Sequence, residues 1–256
     1  MLRLLVSAFA GMLLLCAPAA HAQFGAEASA SKSGFAFPKD GAVKILVFRP
    51  DVSVGEQSTG GMNEPNAEWT EKARTLLAAA LSSAQTRRAN ELVMMPELEG
   101  DKATLLADYR GLFRAVANSV IAHKLFAGNR LPTKRADFNW TLGDGVSALR
   151  DAGGAGAPAD YALFVYTYDS YGSAGRKAAQ IFGAMFGVGI SSGVHMGYAG
   201  LVDLKTGELV WINADVKMGG DVREADGADK RIGQLLEDFP ARAGAVPAAV
   251  PAPATK

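Results

Sequence analysis

Cysteine is nearly missing from this chain of 256 residues: Cys16 is the only one, and it lies inside an apolar run near the amino terminus. The chain opens Met1-Leu2-Arg3, stays uncharged from Leu4 to Leu15 and reaches Ala20-His21-Ala22. That is the pattern of a secretory signal peptide, with cleavage expected after Ala22. The mature chain would then hold no thiol, which excludes disulfides, thiol catalysis and thiolate metal sites. A lipoprotein reading of Cys16 fails, because Leu15 stands where a small residue normally precedes a lipidated cysteine. A signal anchor fails because the run is too short to span a bilayer.

Histidine is scarce as well. Cleavage leaves His123 and His195, and no acidic residue stands at ligand spacing from His195, so neither a metal nor a cofactor is expected. His123 lies beside a helical apolar face and reads as a core or boundary residue. An excess of one charge is also absent: 26 Lys+Arg stand against 26 Asp+Glu, and loss of Arg3 leaves 25 against 26, a formal charge of −1. Nucleic acid, which favours a basic patch or stripe, is therefore not an expected partner.

Four segments follow from composition: a signal peptide over 1–22, a flexible small and polar lead over 23–40, an α/β domain over 41–240 and a disordered Ala/Pro-rich tail over 241–256. The domain, at roughly 200 residues, is large enough for one sizeable core. Its organising stretch is Val194 to Val216, where apolar runs Tyr198–Leu204 and Leu209–Ile212 flank Lys205-Thr206-Gly207, a bulged hairpin turn. Neither strand has a polar face, so both are expected to be covered on both sides. Tyr161 to Tyr168 and Val43 to Phe48 are further strands, the latter stopped by Arg49-Pro50. Val52 to Asn66, with Gly55, Gly60, Gly61 and Pro65, reads as a long loop that is either functional or a solvated connection.

Helical spacing appears from Asn66, a capping residue, to Arg88, and from Lys102 to Phe126. Glu91 to Met95 is a short strand. Thr141-Leu142-Gly143-Asp144 is a capping-box-like start to a short helix, and a last helix runs near Glu224 to Asp238. The predicted fold is a single-domain α/β sandwich whose mixed β-sheet is covered by helices, preceded by a signal peptide.

From Ala178 to Val202 there is no Asp, Glu, Lys or Arg, and glycines recur at spacings of four and two. Because Val194 onward is needed as a strand, Ala178 to Ser192 is too short to span a membrane. Three readings remain: a segment packed on the sheet or on a second subunit, a membrane-inserting element with Arg176 and Lys177 at the headgroups, and a ligand-binding loop. The candidate partner or membrane contacts are Arg176, Lys177, Ile181, Phe182, Gly183, Phe186 and Gly187.

Catalytic motifs fail on inspection. Gly189-Ile190-Ser191-Ser192-Gly193 matches the G-x-S-x-G elbow, but no histidine follows Asp203 or Asp215, so the serine-acid-histidine order of that fold is missing. Gly187-Val188-Gly189 lacks the third glycine of a dinucleotide fingerprint, and Gly172 to Lys177 lacks the spacing of a phosphate loop. Asp169, Arg176, Asp221 and Arg223 read as ion-pairing residues near the sheet ends.

The opening strand Val43–Phe48, the stretch Ala159-Asp160-Tyr161 and the hairpin Leu-Val-Asp-Leu-x-Thr-Gly-Glu-x-Val-Trp from Leu201 to Trp211 together resemble the curli-secretion-channel and TolB-N-terminal-like group of bacterial envelope proteins. The resemblance spans roughly residues 42 to 238. It implies a periplasmic α/β domain that binds protein partners or self-assembles, without catalysis. The curli-type relatives are lipid-anchored, which this chain is not expected to be, and their channel-forming hairpins find no residue-by-residue match in Ala178 to Ser192. The expectation is an exported, non-enzymatic envelope protein, periplasmic or outer-membrane associated, whose partner is an envelope protein or another copy, with a membrane surface as a further class. An oligomeric membrane-associated or secretion-related component is the alternative, and a serine hydrolase comes after it.

Overall fold

The computed structural model describes residues 27–41, 43–85, 91–125, 129–134, 136–152, 158–187, 189–191 and 193–243. The expected signal peptide and the tail from residue 244 onward lie outside the described residues. In chain order the elements are β1 (Glu27–Ser31), β2 (Lys44–Val47), β3 (Asp51–Gln57), β4 (Asn63–Pro65), α1 (Ala67–Gln85), β5 (Glu91–Met94), α2 (Gly100–Val120), β6 (Tyr161–Gly172), α3 (Ala174–Met185), β7 (Gly193–Asp203), β8 (Leu209–Asp215) and α4 (Ala225–Leu235).

The strands form one mixed sheet in the order β1-β8-β7-β6-β2-β5, with β3 also on β6 and β4 on the far side of β3. β6 is the axis of this sheet. It runs antiparallel to β7 along its whole length and parallel to β2 at Tyr161–Leu163 and to β3 at Tyr166–Gly172. Alternating side chains along it serve two cores. Leu163 and Val165 join Leu77, Leu81, Ile232 and Leu235 beneath α1 and α4, whereas Ala162 and Phe164 join Phe113, Ala117 and Tyr198 beneath α2. On the α2 side Phe113 stacks on Phe164 with ring centroids 5.0 Å apart. The expected α/β sandwich with a mixed sheet is the fold observed.

Local chemistry accounts for the ends of these elements. Asn66 caps α1, its side-chain oxygen accepting from the Trp69 backbone N–H at 2.9 Å. The β7–β8 turn is held by Asp203, whose Oδ1 accepts from the backbone N–H of Lys205 at 2.7 Å and of Thr206 at 3.2 Å. Gly207 follows at φ 73°, and a bulge falls between Leu201 and Val202. α2 does not stop at Val120 but runs into a wider π turn over Ile121–Leu125, where His123 is half-buried with Nδ1 3.2 Å from the Asn129 carbonyl oxygen.

Three sequence expectations are corrected. The lead over 23–40 is not simply flexible: β1 lies within it, pairing antiparallel with β8 from Glu27↔Asp215 to Ser31↔Trp211, and Phe37 is fully buried. The supposed loop from Val52 to Asn66 is largely the β3–β4 hairpin, in which Val52 and Val54 point into the core while Ser53 does not. The short helix after Thr141 is a 3₁₀ segment, Asp144–Leu149, without a side-chain cap; Thr141 instead accepts from the Gly143 N–H at 2.9 Å and donates to the Gly207 carbonyl oxygen at 3.0 Å.

That last contact brings two backbones together. A β-carbon at Gly207 would sit 2.0 Å from the Gly143 carbonyl oxygen, whereas one at Gly34, also at positive φ, would meet open space. Gly34→Ala should therefore lose only the left-handed strain of about 1 kcal/mol. Gly207→Ala is expected to lose clearly more, read as a larger drop in urea midpoint at unchanged slope.

Candidate docking surface

The far half of β6 carries the candidate region. There β3 and β7 flank it on either side, and α3 springs from its end. Ser173 caps α3, its hydroxyl oxygen accepting from the Arg176 N–H at 3.2 Å, and the Ser173 N–H donates to the Gln57 carbonyl oxygen at 2.9 Å. Arg176 then ties two connections together: Nε donates to the Ser191 carbonyl oxygen at 2.7 Å and an Nη to that of Thr59 at 3.4 Å. Gly175 permits this approach, since a β-carbon there would lie 2.6 Å from the Thr59 hydroxyl.

Beyond that pinned first turn, α3 has no buried residue. Ile181, Phe182, Met185 and Phe186 are 65–76% exposed, and the rings of Phe182 and Phe186 meet at 4.9 Å. Positions i, i+1, i+4 and i+5 fall on one helical stripe, so the four side chains form one apolar face. Of the expected contact residues, Lys177 is exposed, Gly183 is half-buried within the helix, and Gly187 follows it, exposed and at φ 73°. Arg176 is the member whose side chain is engaged within the fold. Met185 belongs to the same face and was not singled out from the sequence, although its helical spacing from Ile181 and Phe182 would have found it.

Beneath this end of the sheet is a polar cluster. Asp169 and Arg231 are both fully buried. Arg231 donates to both Asp169 oxygens, at 2.8 and 3.0 Å, to Thr167 Oγ1 at 2.7 Å and to the Gly219 and Gly220 carbonyl oxygens at 3.4 and 3.2 Å. Thr167 in turn donates to Asp169 at 2.8 Å, and His195 Nδ1 lies 2.8 Å from the same carboxylate. Asp169 and His195 are direct partners in the β6–β7 register. Ser191, the elbow serine, donates its hydroxyl to the Gly193 carbonyl oxygen at 3.0 Å.

A second ion pair closes the neighbouring turn. Arg223 chelates Asp221 at 2.9 and 2.6 Å and lies over the rings of Tyr171, at 3.7 Å, and Trp69, at 4.5 Å. Burial works to raise the Asp221 pKa, but hydrogen bonds from the Arg223 side chain and backbone and from Tyr171 outweigh it and hold the carboxyl at about 2. Burial, with the Asp169 and Asp221 charges, pushes the Tyr171 hydroxyl well above its ordinary range.

No protein-family model and no curated protein matches the chain. Among solved structures, it is similar to the PelC dodecamer from Paraburkholderia phytofirmans, at 12% identity and a TM-score of 0.37, over 85% of this chain and 98% of that one. It is also similar to a single-residue variant of that PelC, likewise a dodecamer, at 14% identity and a TM-score of 0.34, over 84% and 99% of the two chains.

Replacing Arg231 by Met strands the Asp169 carboxylate in the core, and a loss of about 3–5 kcal/mol is expected by urea unfolding. The double replacement Arg231→Met with Asp169→Leu should recover a substantial part of it, because no charge is then left unpaired. Asp221 titrates lower folded than its ordinary value of 3.8, so its contribution is present above pH 4 and disappears as the pH falls toward 2. More than a third of its side chain is exposed, so screening keeps the effect small. Arg223→Met should flatten this acid limb of the stability profile, read as a smaller loss of urea midpoint between pH 4 and pH 2 than in the wild type.

Proposed function

We propose that this is an exported cell-envelope protein, without catalytic chemistry of its own, that works by docking the apolar face of α3 onto a protein surface, that of an envelope partner or of another copy. The observation that carries this reading is a twelve-residue helix with no buried side chain, on which Ile181, Phe182 and Met185 stand exposed beside Phe186 at its carboxyl-terminal cap. A helix that short is marginal in water by itself, and most helical stability comes from packing an apolar face. Covering such a face, about 400 Å² of apolar surface, is worth on the order of 10 kcal/mol before the cost of association. The amino-terminal leader pattern and the resemblance of the Leu201–Trp211 hairpin to envelope proteins support the assignment to the envelope. The engagement of Ser191 with Gly193, and of His195 with a carboxylate already paired to Arg231, supports a role without nucleophilic catalysis.

A membrane surface is the second reading. α3 contains no acidic residue, and its exposed Lys177 suits an anionic lipid headgroup. Arg176 is already bonded to Ser191 and Thr59, which favours the protein surface over the bilayer. No helix among the described residues is long and apolar enough to cross a membrane.

Sizing the protein exported by its own leader, beside the variant Phe182→Ser/Phe186→Ser, separates these readings. The wild type is expected to elute as an oligomer or with a bound partner, and the variant as a monomer of unchanged melting temperature. An identical elution profile for both would refute docking through α3. Flotation of the wild type, but not the variant, with phosphatidylglycerol-containing vesicles would transfer the role to the membrane.

A further inference from the structure

A cleft of about 310 Å³ opens where the sheet divides, well away from α3. β2 ends at Val47, and the chain bends through Phe48-Arg49-Pro50 before continuing as β3, while β5 ends at Met94 beside it. The cleft lies directly beyond these two parallel strands, with α1 supplying one wall and α2 the other. The crevice outside the carboxyl ends of parallel strands is where open α/β sheets hold their ligands, and the volume is within the range of small-molecule pockets.

The side chains that converge there are unusually rich in guanidinium groups. Arg49 comes from the bend, Arg74 from α1 and Arg110 from α2. Arg49 is bonded to Glu97 and Glu71, and Arg74 shares Glu71 at 2.6 Å. Asp51 pairs with Arg114 at 3.5 Å, beside the cleft. These four arginines face three carboxylates, which leaves one cation in excess. Of the four, Arg110 is the one without an ion pair to a carboxylate among the described residues: it donates to the Arg49 carbonyl oxygen at 2.7 Å. Burial is the largest influence on it and pulls its pKa below the ordinary range; the Arg74 and Arg49 charges add to this, against Asp51 and Glu97.

A half-buried cation repelled by two others is a cost to the free protein that a bound anion would remove. Arginine forks suit this task because two parallel N–H groups match the two oxygens of a carboxylate or phosphate. Glu97 already shows the arrangement in part. Its carboxylate sits on Arg49 although its side chain is 74% exposed, so the pair is weak and its oxygens occupy a position that a ligand's oxygens can take.

We propose that this cleft is a binding site for a small multivalent oxyanion, a phosphate ester or a di- or tricarboxylate, held by Arg110, Arg74 and Arg49 with Glu97 as an exchangeable placeholder. The site goes beyond the docking role of α3 and stands or falls separately from it. Arg110 supplies the charge that the fold leaves uncompensated, Arg74 closes from the opposite helix, and Arg49 exchanges one carboxylate for another.

Isothermal titration of the whole protein with inorganic phosphate and with citrate, each against sodium chloride at matched ionic strength, tests this. Saturable binding of either anion, at least tenfold weaker in Arg110→Met and several-fold tighter in Glu97→Gln, is the expected result, and the stronger of the two names the ligand's chemistry. Arg110→Lys, which keeps the charge but not the fork, should lie between the wild type and Arg110→Met. If Arg110→Met fails to fold, Arg74→Met carries the same expectation. Neither anion binding above chloride, or binding that is unchanged in the folded arginine variant, overturns the proposal.

Discussion

The Asp169–Arg231 pair is the constraint around which the far end of the sheet is built. Both groups are fully buried, and neither can be removed alone without leaving a charge in the core. Its geometry reaches three parts of the fold at once: Thr167 and Asp169 on β6, the Gly219-Gly220 turn after β8, and α4, from which Arg231 projects. Because the guanidinium spends its donors on one carboxylate, one hydroxyl and two carbonyl oxygens, α4 can dock in only one register over β6 and β7. His195 adds β7 to the same carboxylate. The extension of the sheet beyond β2 is thereby held rigid, and α3 is presented from a fixed base.

The bend at Arg49-Pro50 has an equally wide effect. Proline cannot donate to the ladder, so β2 cannot continue straight into β3 as one central strand. The interruption lets β5 pair with β2 and β4 pair with β3 on the same side of β6. Among the described residues no strand lies between those two short partners, and arginine and glutamate side chains line the gap. One residue thus generates both the cleft and the projecting hairpin whose Thr59 receives Arg176.

Much of this architecture was legible from residue pattern. The Leu201–Ile212 hairpin declared itself because its strands are apolar on both faces and its turn carries glycine at the one position where φ is positive. α1 and α2 were visible through helical spacing and, for α1, through Asn66. β1 was not, since Glu27-Ala-Ser-Ala-Ser has neither β-branched residues nor aromatics. It is a strand only because β8 offers it an unpaired edge, a tertiary cause that no local pattern carries. β3 was hidden by its glycine and polar residues. Asp169, His195 and Arg231 lie far apart in the chain and meet through the β6–β7 register and the docking of α4, so their cluster depends on the completed fold. For α3 the reverse is true. Its lack of charge and its apolar residues were plain, and what the structure adds is that they face outward.

The two surfaces most suited to binding are set apart by the length of β3. Asp51 stands at the cleft and Gln57 at the base of α3, a separation of about 20 Å for a strand of that length. No side chain is shared between them. Sites that far apart act independently unless a two-state element joins them. The candidate joining element, β3, is paired along its whole length to β6, and β6 is clamped by Asp169 to Arg231. A strand held in that way has one arrangement rather than two. An anion in the cleft would therefore bear on the bend and the ends of β2 and β5, whereas the display of α3 rests on the clamped end of β6 together with the Ser173 cap and the bonds of Arg176 to Ser191 and Thr59.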